Sequence, residues 1–473
     1  MLASGSLTRY HKSNANMNLP NYFLADLPPE ATLGAAMVSE ACQTLKRNRE
    51  HYLAHRSTHG LVTVLTDLAQ NWLSPEYSFR KLALERGPAA TGFSAPTLAR
   101  GLDSFFKQLT PEACHAFLEQ DLGHARRLDE MVSADAERKA HRASLATAPE
   151  LLVHIAAGNL PNPTLSAMVL GVLVRSAQFV KCASGTSFLP RLFAHSLYEV
   201  QPKLGACLEV AEWRGGNADL EKALFDEAAC VTATGSDETL AAIRQRLPAK
   251  VRFLAYGHRV SFAYVTGGML HGPNVRKTAS QAAADVVAWN QQGCLSPHVI
   301  YVEHSGVVPP DKFAELLAEE LERREETEPR GELPVESAAA IASRRAFYEV
   351  RAAHSPDTRH LCSRNSTAWT VVYEADPRFQ LSCLNRFIYV KGVKDLTEAL
   401  QNAESVRGQV STVGLAAPED KAQALATELA RWGVARVCRL GQMQEPPLPW
   451  RHDGRPALAD LVSWTDWEIG GME

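Results

Sequence analysis

One cysteine lies in a segment whose residues suit a nucleophile. Cys294 belongs to WNQQGCLSP, residues 289–297, between an alanine-rich helical pattern over 278–289 and a strand pattern that follows. A thiol at such a junction can be exposed, and the thiolate is the nucleophilic form of cysteine. The residues alone leave a second interpretation open, in which Cys294 packs as a small apolar side chain.

Two turns between a strand pattern and a helix pattern carry groups that could bind substrate or cofactor. Asn159 lies in GNLPNP, residues 158–163, where its amide could donate to a developing oxyanion. Thr234, Gly235 and Ser236 precede a helix, and a helix N-terminus suits a pyrophosphate. Plain β-to-α turns also use Asn, Gly and Pro. No G-x-G-x-x-G stands at a strand-to-helix junction, so the ordinary dinucleotide fingerprint is absent.

Two histidine patterns could suggest further chemistry. His51, His55 and His59 are spaced by four, which would align their imidazoles on one helix face as metal ligands. No carboxylate or cysteine accompanies them and arginines surround them, so we expect a solvated basic face and no metal site. His452 and Asp453 are adjacent. On an extended segment adjacent side chains point to opposite sides, so a catalytic dyad is not expected.

The surrounding patterns predict the elements that position these residues. Residues 1–150 read as a mostly helical lead-in, and the charge run 319–328 as solvated helix surface. From residue 151 onward, short apolar runs alternate with helical patterns, which predicts βαβ units around parallel sheets. A final αβ return is expected over 408–473. The predicted strands are 151–156, 178–183, 206–213, 228–234, 251–256, 260–265, 298–303, 370–373 and 387–390.

Composition excludes several classes of protein. The chain has 473 residues, which is long enough for two or three domains. Its net charge of -4 gives no positive electrostatic potential that would attract nucleic acid. Nine scattered cysteines without a C-x-x-C pair indicate a reducing compartment with free thiols. The longest mostly apolar run, 165–174, is about half of the ~20 residues that span a bilayer. With no secretory signal pattern at the N-terminus, we expect a cytoplasmic protein without a membrane span.

In their order along the chain, these segments resemble the aldehyde dehydrogenase superfamily, and specifically its acyl-CoA reductase branch, the LuxC family of bacterial luminescence. The resemblance covers about 91–468. It implies two parallel-sheet α/β domains and a helical lead-in, divided as 1–150 helical, 151–260 NADP(H)-binding, 261–440 catalytic and 441–473 a C-terminal return. The segments that carry it are TGFSAPTLARGLDSFF (91–106), HIAAGNLPNP (154–163), TATGSDET (232–239), WNQQGCLSPHVIYVE (289–303) and GRPALADLVSWTDWE (454–468).

The resemblance assigns roles to individual residues. Cys294 is the implied nucleophile, and Asn159 the implied oxyanion-hole amide together with the backbone N–H of Cys294. Lys181 resembles the family lysine that holds the adenosine ribose, but Ser184 replaces the carboxylate expected after it. Loss of that carboxylate favours NADPH over NADH.

Other positions match the family pattern only in part. Thr234, Gly235 and Ser236 are similar to the turn under the pyrophosphate, although a later glycine of that motif is replaced near Leu240. A glutamate that contacts the nicotinamide ribose in relatives has no match near 382–386 and is left unassigned.

A further departure from the superfamily pattern concerns the fate of an acyl-enzyme. Ala255 stands where aldehyde-oxidising members carry the glutamate that activates water. Without that glutamate a thioester is protected, as reduction to an aldehyde requires. His258 is the nearest motif residue that could shuttle a proton, and a structural histidine explains it equally well.

The implied function is NADPH-dependent reduction of an acyl thioester to the aldehyde through an S-acyl-cysteine on Cys294. The substrate would be an acyl-CoA or an acyl-protein, with a fatty acyl group, an acyl-activating partner protein and a homo-oligomer as further expectations. Two alternatives stay open: an oxidative aldehyde dehydrogenase, which would need another base, and a catalytically silent acyl-binding homologue.

Overall fold

A computed structural model describes residues 19–28 and 30–468, and the parallel α/β architecture expected from the sequence is confirmed in them. The helices are α1 (Ala35–Tyr52), α2 (Thr58–Leu73), α3 (Ser78–Thr91), α4 (Ala95–Phe106), α5 (Pro111–Leu122), α6 (Asp135–Lys139), α7 (Asn162–Leu173), α8 (Phe188–Val200), α9 (Pro202–Gly205), α10 (Ala218–Glu227), α11 (Asp237–Arg246), α12 (Gly272–Val287), α13 (Pro310–Thr327), α14 (Val335–His354), α15 (Leu396–Asn402) and α16 (Glu419–Trp432). The strands are β1 (Arg142–Thr147), β2 (Leu151–Ile155), β3 (Ala177–Cys182), β4 (Leu208–Glu212), β5 (Cys230–Thr234), β6 (Arg252–Tyr256), β7 (Val260–Val265), β8 (Pro297–Glu303), β9 (Thr358–Cys362), β10 (Thr370–Glu374), β11 (Phe387–Val393), β12 (Val410–Ala416), β13 (Arg436–Arg439) and β14 (Ser463–Glu468).

The first large sheet is parallel and has the strand order β4-β3-β2-β5-β6. The central strand β2 and its neighbour β3 are almost entirely buried, as expected for parallel strands covered by helices on both faces. The chain passes from β2 to β3 on one side and later to β5 on the other. This change of direction creates a crevice at the carboxyl end of β2, the usual position of a ligand in such sheets.

The second large sheet has the order β13-β12-β7-β8-β11-β10-β9. All neighbours are parallel except the edge pair β9 and β10, which is antiparallel. The helices α12 and α13 cover one face, where Ala283, Phe313 and Leu317 are fully buried with residues of the sheet. Because Cys294 lies just before the central strand β8, the middle of this sheet sets its position.

The sequence predicts that the chain ends in an αβ unit, but the last strand, β14, pairs with β1 instead. After α16 and β13, the chain crosses the molecule, and β14 pairs antiparallel with β1 over Arg142–Thr147. The strand β1 thus lies inside the region predicted to be mostly helical. Both strands are short, and β14 is exposed throughout, so neither carries the continuous apolar run that marks a buried strand.

The N-terminal helices pack against the five-stranded sheet. From α1, Val38, Cys42 and Leu45 are buried against the sheet side chains Val153 and Phe179. The helix ends at Tyr52 and α2 begins at Thr58.

Because α1 ends at Tyr52, the three histidines spaced by four do not lie on a single helix. Because His51, His55 and His59 are divided between two helices and the turn that joins them, they do not share one helix face. Within the described part of the chain, we find no helix with the length and apolarity that crossing a membrane requires.

Candidate active site

The loop that carries Cys294 has an unusual backbone. Between α12 and β8, the consecutive residues Trp289, Asn290 and Gln291 have φ angles of 51°, 52° and 62°. Non-glycine residues pay about 1–3 kcal/mol each for sparsely populated conformations, so neighbouring structure must hold them.

A buried hydrogen-bond network holds this loop from the side of α13. Arg386 is fully buried, donates from Nε to Asn290 Oδ1 over 3.1 Å, and pairs with Glu325 over 2.6 Å. Asn290 Nδ2 in turn donates to the carbonyl oxygen of Arg330 over 2.7 Å. The amide of Asn290 is therefore engaged at both ends, which fixes the turn four residues before Cys294.

Two of the sequence segments that carry the family resemblance hold the same loop from the other side. The Trp289 ring lies directly on α4 at Gly101, where a Cβ atom would be only 1.9 Å from ring atom Cζ2. Phe93 packs edge-on against that ring at 5.1 Å between centroids. Asn162 Nδ2 donates to the carbonyl oxygen of Gly101 over 2.9 Å. These residues of 91–106 and 154–163 thus seat the cysteine loop.

Asn159 and Cys294 come from different sheets and meet at this loop. Asn159 follows β2, is exposed, and its Nδ2 donates to the carbonyl oxygen of Gln292 over 2.8 Å. An amide nitrogen carries two hydrogens, so one donor of Asn159 remains. From the second sheet, Ser261 Oγ donates to the carbonyl oxygen of Cys294 over 2.7 Å.

The groups around Cys294 shift the pKa of its thiol in opposite directions. Cys294 is partly exposed, whereas Cys42, Cys114, Cys182, Cys207 and Cys230 are buried, and Cys362, Cys383 and Cys438 are partly exposed elsewhere. Desolvation and the carboxylate of Asp453 raise the pKa of Cys294 to about 12. The backbone N–H groups of Cys294 and Leu295 and the cation of Arg259 act in the opposite direction.

The segment that contains Ala255 is covered by the C-terminal part of the chain. Arg455 Nη2 donates to the carbonyl oxygen of Ala255 over 2.8 Å, and its guanidinium lies 4.6 Å above the Tyr256 ring. The His452 ring also stacks on the Tyr256 ring, with ring centroids 4.4 Å apart. The segment that contains Ala255 is therefore anchored by the C-terminal part of the chain.

The expectation that His452 and Asp453 lie on an extended segment is wrong. Both belong to a short helical turn, His452–Gly454, in which Asp453 has a φ of 52°. The Asp453 side chain is only 4% exposed and pairs with Arg259 over 3.3 Å. The turn directs this carboxylate inward, which period-two alternation could not predict.

The cofactor candidates lie at the carboxyl ends of neighbouring strands. Lys181 is the penultimate residue of β3, is buried, and its ammonium lies 5.6 Å from the Trp213 ring. Desolvation lowers the pKa of Lys181, while Glu221 and Glu212 oppose this shift. Ser184 is exposed on the following loop.

A carboxylate does lie near Lys181, although it comes from β4. Glu212 accepts hydrogen bonds from the backbone N–H groups of Gly185 over 2.5 Å and Ser187 over 3.1 Å. Its two oxygens thus cap the loop that contains Ser184.

The turn after β5 is built as predicted from its sequence. Ser236 is the N-cap of α11, and its Oγ accepts from the backbone N–H of Thr239 over 3.3 Å. The next residue, Asp237, accepts from the backbone N–H of His258 over 3.3 Å. This contact places the exposed His258 at the start of α11, beside Thr234–Ser236.

These residues fit a dinucleotide. Lys181, Thr234, Ser236 and the N-terminus of α11 lie at the same edge of the sheet, because β3 and β5 are parallel and flank β2. Ammonium, hydroxyl and backbone N–H groups are the donors that phosphate and ribose oxygens require.

The unassigned segment 382–386 also lies beside the cysteine loop. Leu384, Asn385 and Arg386 have φ angles of 58°, 54° and 66°, and Asn385 Oδ1 accepts from Gln292 Nε2 over 3.1 Å. The segment therefore offers the amide of Asn385 beside the cysteine loop.

Sequence reasoning missed the residues that hold the loop. Glu325 lies in the charge run predicted to be solvated, yet Glu322 binds the Trp369 indole, Glu325 binds Arg386 and Glu328 binds Arg100. Glu322 and Glu325 lie on one side of α13 and Glu328 directly follows it. Glu319 shares the three-residue spacing but is exposed, so spacing alone could not have separated them from the solvated glutamates.

Solved structures and sequence relatives identify the class to which this fold and site belong. The chain superimposes on an NADP-dependent glyceraldehyde-3-phosphate dehydrogenase from Bacillus halodurans C-125, solved with NADP, with a TM-score of 0.66, 15% identity and coverage of 93% of this chain and 92% of that one. It also matches bifunctional proline utilization A with a TM-score of 0.70 and 15% identity, covering 94% of this chain but only 46% of that longer one. The fold is therefore that of the aldehyde dehydrogenases.

A sequence profile narrows this class to one family. The profile described as acyl-CoA reductase (LuxC) matches residues 53–464, so the chain belongs to that family. A relative named long-chain acyl-protein thioester reductase, from Aliivibrio fischeri, is 23% identical over 419 residues, covering 86% of this chain and 82% of its own length.

Proposed function

We propose that this protein reduces an acyl thioester to the aldehyde through an S-acyl-cysteine on Cys294. The observation that carries the proposal is the hydrogen bond from Asn159, which follows β2 of the first sheet, to Gln292 in the constrained loop of the partly exposed Cys294. The name of the Aliivibrio fischeri relative supports the same reaction type.

In the proposed reaction Cys294 attacks the thioester carbonyl, and the thiol of the substrate leaves. The remaining Asn159 donor and the Cys294 backbone N–H stabilise the oxyanion, a contribution of about 2.7–4 kcal/mol for each such donor. A nicotinamide bound in the crevice would supply hydride to the acyl carbon. The sulfur of Cys294 then departs and the aldehyde is released.

We also propose that the site lacks a base that would activate water to hydrolyse the acyl-enzyme. Ala255 has no carboxylate, and Arg455 covers its carbonyl oxygen. An acyl-enzyme on Cys294 would therefore persist until reduction. His258 is the third proposed catalytic residue, as a proton shuttle, and its backbone N–H donates to Asp237 at the start of α11.

NADPH is the cofactor we propose, held by Lys181, Ser184, Thr234, Gly235 and Ser236. The exposed Ser184 leaves space and no charge where a carboxylate would repel a 2′-phosphate. Glu212 is occupied by two backbone N–H groups, which limits its use as an acceptor for a ribose hydroxyl. A comparison of NADPH and NADH oxidation at equal concentrations tests this choice.

The proposed substrate is a fatty acyl group carried on CoA or on a protein thiol. The proposed protein partners are an acyl-activating protein and a second copy of this chain. A panel of acyl-CoA chain lengths, scored by NADPH oxidation, identifies the acyl group.

The first test of the function is acyl transfer to one sulfur. After incubation with acyl-CoA, mass spectrometry should find an acyl adduct on the peptide that contains Cys294, and NADPH should convert it to aldehyde. Cys294→Ala should abolish both signals. Cys438→Ala, at another partly exposed cysteine, is the matched control and should retain them.

Two outcomes would replace the proposal. Steady formation of free acid from aldehyde and NAD would establish an oxidative aldehyde dehydrogenase. Acyl binding without any covalent adduct, across all chain lengths and carriers, would establish a silent acyl-binding homologue.

A further inference from the structure

Cys294 lies in a tight turn shortly after the left-handed segment of its loop. The backbone N–H of Ser296 donates to the carbonyl oxygen of Gly293 over 2.9 Å, so residues 293–296 form a β-turn with Cys294 at its second position. The strand β8 begins directly after this turn. The position of the Cys294 sulfur therefore depends on the two residues at the ends of the turn.

One side chain of the C-terminal segment contacts both ends of this turn. Gln444 Nε2 donates to Ser296 Oγ, and the Ser296 side chain is buried. At the other end, a Cβ atom on Gly293 would lie 2.8 Å from Gln444 Nε2 and 2.9 Å from its Oε1. The absence of a side chain at Gly293 thus lets the Gln444 amide lie directly against the backbone of the turn.

The residue that follows the proposed oxyanion donor packs against the same glycine. A Cβ atom on Gly293 would also lie 3.0 Å from Leu160 Cδ1, and Leu160 directly follows Asn159. Gly293 therefore lies between Leu160 and the Gln444 amide. This packing relates the sulfur of Cys294 to the amide of Asn159, because each of them adjoins one of the two residues in contact.

The backbone that carries Gln444 is itself held on both sides. Asp285, buried on α12, accepts from the backbone N–H of Met443 over 2.9 Å, and Arg436 donates to the carbonyl oxygen of Met443 over 2.7 Å. Both backbone groups of the preceding residue are thus engaged. Because α12 leads directly into the cysteine loop, one helix anchors both the loop and the segment whose side chain contacts it.

We propose that Gln444 is a positioning residue for the acylation of Cys294, and that it acts by holding the turn 293–296 in place relative to Asn159. The inference rests on the proposed function, in which Cys294 attacks an acyl carbonyl and Asn159 donates to the oxyanion. A misplacement of ~1 Å at reacting atoms can lower a rate by about 10²-fold, so a contact at both ends of the turn is consequential. Gln444 acts through the turn and does not bind the acyl group.

The probe for the test is p-nitrophenyl acetate, an activated ester that requires neither CoA nor a nicotinamide. The sulfur of Cys294 forms a bond to the acetyl carbon, the ester C–O bond breaks, p-nitrophenolate leaves with the bonding electrons, and the thiol proton passes to solvent. The absorbance of p-nitrophenolate gives the rate constant of acetylation, and mass spectrometry locates the acetyl group on the Cys294 peptide. Cys294→Ala supplies the background rate.

Gln444→Met keeps the length of the side chain and removes its amide. The rate constant of acetylation at saturating ester should fall about tenfold, while the half-saturating ester concentration stays unchanged. Gln442→Met, the same substitution at an exposed position of the same segment, is the matched control and should react like the unmodified protein. The midpoint of guanidinium unfolding should be the same in all of these proteins, which separates positioning from loss of folded protein.

Ser296→Ala removes the other partner of the hydrogen bond. It should slow acetylation to a similar extent as Gln444→Met. The double variant should be no slower than either single variant, because the same contact is lost in all three proteins.

An unchanged rate constant in Gln444→Met, or losses that multiply in the double variant, would overturn the positioning role. A changed half-saturating concentration at an unchanged rate constant would instead make Gln444 a substrate contact. Failure of the proposed function gives a different result, in which the unmodified protein is acetylated but forms no aldehyde from any acyl-CoA with NADPH. Absence of acetylation in the unmodified protein would contradict Cys294 as the nucleophile and overturn both proposals.

Discussion

The amide of Asn159 is a single hydrogen-bond donor on which the proposed site depends. The exposed amide of Asn159 reaches the cysteine loop through the carbonyl oxygen of Gln292, two residues before the sulfur. A donor aimed at developing charge contributes more in the transition state than in the ground state.

At this residue scale, we expect Asn159→Ala to slow acylation of Cys294 by about 10²–10³-fold, because one oxyanion donor is lost. The time course of adduct formation with saturating acyl-CoA measures the effect. Asn402→Ala is the matched control, since its amide donates to the carbonyl oxygen of Glu398 within α15. An unchanged rate in Asn159→Ala would remove Asn159 from the proposed oxyanion hole.

At the scale of elements, α13 determines the shape of the loop before Cys294. One side of this helix carries Glu325, whose carboxylate compensates the fully buried Arg386. Arg386 has its pKa lowered to about 10 by desolvation, against the opposing charge of Glu325. The left-handed residues of the loop therefore depend on an ion pair located on another element.

We expect Glu325→Gln to destabilise the protein by about 1–3 kcal/mol, because it leaves a buried guanidinium without its countercharge. Acylation of Cys294 should fall with it as Asn290 loses its fixed partner. Guanidinium unfolding and adduct formation measure the two effects. Glu326→Gln changes the exposed neighbouring residue and should be silent in both assays. Equal behaviour of the two variants would show that the loop holds its shape without Arg386.

At the scale of the whole molecule, the C-terminal segment connects the parts of the site. The carboxylate of Asp285, on α12, accepts from the backbone N–H groups of Gly441 over 2.6 Å and Met443 over 2.9 Å. Farther along, Arg455 contacts Ala255, and β14 pairs with β1. One segment thus contacts α12, which covers the second large sheet, and β6 of the first.

Buried histidines give the whole molecule a predictable pH dependence. His154, in the central strand β2, bonds Thr232 and Gln178, and desolvation lowers its pKa from 6.5 to about 4. Between those values the unfolded chain binds a proton that the folded protein does not. The free energy of unfolding should therefore fall as the pH decreases from 6.5 to 4, by about 1.4 kcal/mol per pH unit for this group. His298, with a pKa lowered to about 4, adds to the effect.

Guanidinium unfolding between pH 7.5 and pH 4.5 measures this loss. His154→Gln, which keeps a polar side chain between the two partners, should lose less stability over the range than the unmodified protein. His354→Gln replaces an exposed histidine as the control. Identical pH dependence in all three proteins would mean that His154 does not contribute.

The local elements were predictable because they follow from residues close together in the chain. Strands such as Leu151–Ile155 and Val260–Val265 are mostly apolar runs, and the Ser236 cap is readable from its place before α11. The motifs around Cys294 and Asn159 also placed both residues at the correct kind of junction. Their chemical roles remain proposals.

The sequence by itself determined the parallel α/β class, the alternation of its elements and the candidates for nucleophile and oxyanion donor. Only the tertiary structure decided that Glu325 supports the loop, that Asp453 pairs with Arg259 and that β14 returns to β1. These pairs are separated by tens to hundreds of residues, and local periodicity carries no information about such contacts. Burial of charge, which makes each pair consequential, arises only when the separate elements have packed together.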